Sequence, residues 1–125
     1  MKAPPLIIGI DPGKHIGLAW LRLSPTLTLL KREVVSLKVL DYYPFPKDAL
    51  LVLGDSTQSH AIQQKLAARA HPFKLIDEHN SSLEAKELYF REHPQALLSR
   101  IWAEPPLWDD YAAYVIAKRY VNYPP

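Results

Sequence analysis

At 125 residues the chain is long enough for one domain, residues 1–125, with a real core. It has no cysteine, which excludes disulfides and thiolate–metal sites, so any metal must be held by carboxylate, imidazole or water. A net charge of +2 permits a polyanionic partner without requiring one, and is far from the excess of a protein that coats nucleic acid. The opening residues MKAPPLIIGI read as neither a signal peptide nor a membrane span, and with no cysteines the expected location is the cytoplasm.

In chain order, residues 6–11 (LIIGID) predict a first, buried strand. Residues 16–23 follow after a tight connection carrying Gly13, which predicts a hairpin. Residues 27–37 predict a third strand, set off by Ser24-Pro25. The stretch 38–49, around YYPFPKDA, is too broken by proline for a good helix. LLVLGD (50–55) predicts a fourth strand, residues 57–70 a helix, and FKLIDE (73–78) a fifth strand. Ser81 with Glu84 three residues on forms a capping box for a helix over 81–93. Beyond Glu104-Pro105-Pro106, the segment WDDYAAYVIAKRYV predicts a last helix. A three-strand meander followed by strand–helix–strand–helix–helix reads as an α/β domain, its mixed sheet having strands one, four and five parallel.

Three buried-looking strands therefore end on acids: Asp11, Asp55 and Asp77-Glu78. In open α/β sheets those carboxyl ends line the crevice where ligands bind. On the last helix, Asp109, Ala112, Ala113, Ile116, Ala117 and Tyr120 share one face, so Asp109 heads the stripe that packs on the sheet. Converging carboxylates repel unless a cation sits among them. Oxygen-loving Mg²⁺ or Mn²⁺ meets that need, and two such ions can activate water and stabilise a leaving oxygen in phosphodiester cleavage. A shared metal would explain why a buried strand ends on Asp11.

Each acid also has a plainer reading. Asp11-Pro12-Gly13 can be a turn whose Asp bonds its own backbone. Asp55-Ser56-Thr57 resembles a helix N-cap, and Asp109 can be an anion favoured by a helix start. The five histidines show no metal-ligand spacing, although His15 and His79 lie beside the acids. Tyr42-Tyr43 and Tyr120-Tyr123 fit packing better than base stacking. What favours chemistry is that all the acids coincide with the ends of buried elements.

These residues carry a family resemblance that spans nearly the whole chain. Ile10-Asp11-Pro12-Gly13 with His15-Ile16-Gly17-Leu18-Ala19 resembles the opening of the ribonuclease-H-like nucleases of the RuvC and YqgF families. "IDPG" is closer to the Holliday-junction resolvases of the RuvC family, "GKHIGLA" to YqgF, which is linked to maturation of precursor small-subunit rRNA. Residues Ile76 to Ala85 resemble the YqgF "DERLTT..A" segment, with Glu78 on the acidic position. Trp108-Asp109-Asp110-Tyr111-Ala112-Ala113 resembles the final-helix motif of both families, with the last carboxylate on Asp109. The chain departs from YqgF at His79, where that family has Arg, and at Asn80-Ser81-Ser82. It departs from RuvC at Asp55, where that family has Glu at the end of strand four, and at Ala112, where it has a further Asp or His.

The resemblance implies a ribonuclease-H-like sheet and a nuclease that uses Mg²⁺ or Mn²⁺. Asp11, Glu78 and Asp109 would hold the metal, with Asp55 as the alternative second carboxylate. From their positions beside these acids, Lys14, His15, Ser56, Ser81 and Ser82 are expected to contact phosphates, with Lys118 or Arg119 adding positive field. The expected substrate is structured RNA or branched DNA, with RNA preferred, and the protein a monomer or homodimer. The competing expectation is an altered ribonuclease-H-like module that binds nucleic acid or a protein partner without cleavage.

Overall fold

The computed structural model describes residues 6–23, 27–77, 81–92 and 109–122. β1 (Leu6–Asp11), β2 (Ile16–Arg22) and β3 (Thr28–Val35) form the meander. A 3-10 helix (Leu37–Asp41) leads to β4 (Leu50–Gly54), and α1 (Ser59–Ala68) to β5 (Phe73–Ile76). α2 (Ser81–Glu92) and α3 (Asp109–Asn122) complete the described elements. The strands form one sheet in the order β3-β2-β1-β4-β5. β1 pairs antiparallel with β2 and parallel with β4, and β4 pairs parallel with β5, as the pattern of apolar runs predicts.

Alternation along the strands divides the core in two. Ile8, Ile10, Ile16, Leu18, Leu51 and Leu53 face α1, where Ile62 and Leu66 cover them together with Leu40, Tyr43 and Phe45. Ile7, Ala19, Leu21 and Val52 face α3 and pack on Ala113, Ile116 and Ala117. The central strands are buried on both sides, which is why β1 and β4 read as near-continuous apolar runs. α2 lies against α3 through Ala85, Ala112 and Val115.

Several boundaries differ from expectation. β3 ends at Val35, two residues early, and the chain turns into the short 3-10 helix that Pro44 and Pro46 prevent from lengthening. α1 begins at Ser59 with Gln58 in the cap position and no side-chain cap bond, so Asp55-Ser56-Thr57 is not the cap. Those residues form a turn in which Ser59 and His60 N–H donate to the carbonyls of Ser56 (2.9 Å) and Thr57 (3.4 Å). Tyr42 and Tyr43 part company: Tyr43 is buried, whereas Tyr42 is 71% exposed and does no packing. No described helix is long and apolar enough to cross a membrane.

Candidate active site

Asp11 closes β1, and only 7% of it is exposed. Its register partner is Gly17, just as Gly9 pairs with Ala19 and Ile7 with Leu21. By the two-residue period Asp11 shares the face of Ile7 and Gly9, the face that α3 covers. The contact there is close. A Cβ built on Gly9 would lie 2.1 Å from the Ala113 carbonyl oxygen and 3.0 Å from Ala117 Cβ. The small residues Ala113 and Ala117 let the helix come this near, and a glycine inside a buried strand was the sequence signal for it.

α3 starts at Asp109, one helical turn before Ala113. The stripe expected behind Asp109 is the buried one: Ala112, Ala113, Ile116 and Ala117 are fully covered. The side chain of Asp109 lies outside the described residues, as do Glu78 and the side chains of Ser81 and Ser82.

The other described acids occupy different positions. Gly54 continues the β1–β4 register opposite Asp11, and Asp55 comes one residue later, exposed. The Asp55 N–H still donates to the Ile76 carbonyl at 3.0 Å, so the ladder carries on and alternation takes Asp55 to the α1 face. Asp77 follows Ile76 in the same way; Ile76 packs on the α3 side and Asp77 is exposed. Among the described residues, no three His, Asp or Glu side chains come together to hold a metal ion. Asp11, Asp55 and Asp77 are thus not one cluster, although all three sit at the same edge of the sheet.

The candidate phosphate contacts also separate. Lys14 and His15 are exposed on the turn directly after Asp11. Arg119 is bonded within the fold. Its Nη1 donates to the Asp77 carbonyl (2.9 Å) and its Nε to Glu84 (3.3 Å), so it ties α3 to the end of β5 and to α2. Lys118 lies 5.2 Å from the centre of the Tyr114 ring. Sequence reasoning passed over Gln58, whose Oε1 lies 3.6 Å from a Cβ built on Gly13. A lone glutamine at a helix start carries no periodicity that would have singled it out.

Carboxylate oxygen is the kind of donor a hard divalent cation takes. Asp11 brings a carboxylate held in place by burial at a strand end, and the other candidates offer oxygen as well.

A mixed five-stranded sheet in this order, packed by helices on both faces, has the ribonuclease-H-like fold. Among solved structures the chain is similar to T. thermophilus RuvC in complex with Holliday junction substrate, with a TM-score of 0.56 and 18% identity over 94% of this chain and 93% of that one. At that identity the likeness is one of fold. No family model matches the chain, and none of the curated proteins does.

Proposed function

We propose that the protein is a divalent-metal-dependent nuclease that hydrolyses phosphodiester bonds, closer in its site to YqgF than to RuvC. The observation that carries this reading is Asp11: a buried carboxylate at the end of the central strand, on the face covered by α3. Asp11 and Asp109 would hold Mg²⁺ or Mn²⁺ with Glu78 as the second carboxylate, and Asp55 is disfavoured because alternation takes it to the other face. When bound there, the ions supply activation of the attacking water and stabilisation of the leaving oxygen. The chain's own part is to fix Asp11 by the pairing of β1 on both sides and to seat α3 through the Gly9–Ala113 contact. Nucleic acid is the partner this reading requires; the RuvC neighbour is bound to a Holliday junction substrate, whereas the Asp77-Glu78 segment favours RNA processing.

The test offers the purified protein single-stranded RNA, duplex RNA and a four-way DNA junction side by side with Mn²⁺. Cleavage that Asp11→Asn abolishes supports the reading. Cleavage unchanged in that variant overturns it, and binding without cleavage in the wild type points to the non-catalytic alternative.

A further inference from the structure

We infer that Gln58 is a substrate-positioning residue, which forms with Lys14 and His15 a polar lip that grips the sugar–phosphate backbone beside Asp11; this rests on the nuclease reading above. β1 and β4 are parallel neighbours, so the turns that follow them leave the sheet at the same edge. The first turn, residues 12–15, carries Lys14 and His15 exposed to solvent. The second, residues 55–58, carries exposed Asp55, Thr57 and Gln58.

The two turns meet where Gln58 Oε1 lies 3.6 Å from the position of a Gly13 Cβ, a point itself 3.3 Å from the His15 carbonyl oxygen. Gly13 has no side chain to hold the amide off, so the Gln58 amide lies near the first turn. That amide is not spent on the helix it precedes, since α1 has no side-chain cap bond. A carboxamide both donates and accepts, which suits a phosphate oxygen or a sugar hydroxyl, and such contacts set register without reading sequence. Lys14 supplies the positive charge that draws a polyanion to this edge, and Asp55, on the same lip, repels it.

The experiment measures fluorescence anisotropy of a labelled RNA duplex and a labelled four-way DNA junction in EDTA, where cleavage is stopped. Wild type, Asp11→Asn, Lys14→Ala, Gln58→Ala and Gln58→Glu are compared, each after thermal melting has established that it folds. Gln58→Ala should weaken binding by about fivefold, as loss of one hydrogen bond would, and Gln58→Glu should weaken it further by adding a negative charge. In Mn²⁺ the loss should fall on KM and not on kcat. Lys14→Ala should lower the salt dependence by about one phosphate contact. Wild-type affinity in a folded Gln58→Ala overturns the lip and leaves the nuclease reading standing, as does a loss confined to kcat. No binding by the wild type to either probe overturns both.

Discussion

Gly9 and Ala113 are in contact backbone to backbone: a single added methyl on Gly9 would come 2.1 Å from the Ala113 carbonyl oxygen. Neither side can yield as the end of a flexible side chain would. Gly9→Ala should therefore push α3 off the sheet and cost about 3 kcal/mol, the upper end of ordinary overpacking. For a chain of this size that lowers Tm by roughly 10 °C. A melting curve within a degree of wild type would show that the helix is not anchored at this point.

The second carboxylate can be settled by paired substitutions. Asp11→Asn and Glu78→Gln should each reduce Mn²⁺-dependent cleavage by roughly a hundredfold or more, because each removes a charged metal ligand. Asp55→Asn should change it by less than about threefold, consistent with an exposed side chain on the other face of the sheet. If Glu78 and Asp109 meet Asp11 as proposed, Asp11→Asn should fold at least as stably as wild type without metal, since it removes repulsion among those carboxylates. Urea titration of the apoprotein measures the second effect independently of the first.

Ala70 is at φ 55°, in the left-handed region. It follows the C-cap Arg69 of α1 in a Schellman turn: its N–H donates to the Ala67 carbonyl at 2.9 Å, and that of His71 to the Leu66 carbonyl at 3.0 Å. Glycine adopts this conformation without strain, so Ala70→Gly should stabilise the fold by about 0.5–1 kcal/mol after its greater freedom in the unfolded chain is set against the relief. Chemical denaturation reads this as a higher midpoint with an unchanged slope.

Glu33 predicts a pH dependence. Burial pushes its carboxyl upward, but the Tyr43 hydroxyl and Lys31, 3.0 Å away, outweigh burial and hold it below the ordinary 4.5. Burial, and then Glu33 itself, push the Tyr43 hydroxyl well above the usual range, so it remains a donor. Because the folded value of Glu33 is the lower one, its contribution to stability is present above pH 4.5 and is lost as pH falls through the folded value. Tyr43→Phe removes that donor and the acceptor for Trp20 Nε1 at 3.1 Å, which should cost about 1 kcal/mol at pH 7. The gap between variant and wild type should narrow at pH 3. A gap that stays constant would mean that packing, not the hydrogen bond, is responsible.

Much of the architecture was legible because it follows from patterns with a physical cause. Double-sided burial of β1 and β4 leaves apolar runs, and the stripe on the last helix names its own buried face at Ala112, Ala113, Ile116 and Ala117. What could not be read were features fixed by neighbours distant in sequence. Arg119 looks like any basic residue on a polar face until the fold sets the Asp77 carbonyl and Glu84 beside it. Asp55 looks equivalent to Asp11, since both end apolar runs, but the register reaches Gly54 opposite Asp11, so one residue of offset carries Asp55 to the other face. Gln58 gains meaning only from its nearness to Gly13 across the two turns. The tyrosine pair shows the same limit: neighbours in sequence, yet Tyr43 is anchored to Trp20 and Glu33 while Tyr42 faces water.

The strand order has a consequence for biosynthesis. β1 occupies the middle of the sheet, but its parallel neighbour is made much later, Ile7 waiting for Leu50. On the ribosome the emerging meander therefore has an open, strongly apolar edge until β4 arrives, which at translation speeds lasts for seconds. α3, the cover for the other face, emerges later still. This order makes nascent intermediates sticky, and it delays assembly of the surroundings of Asp11 until nearly all of the described chain has been synthesised.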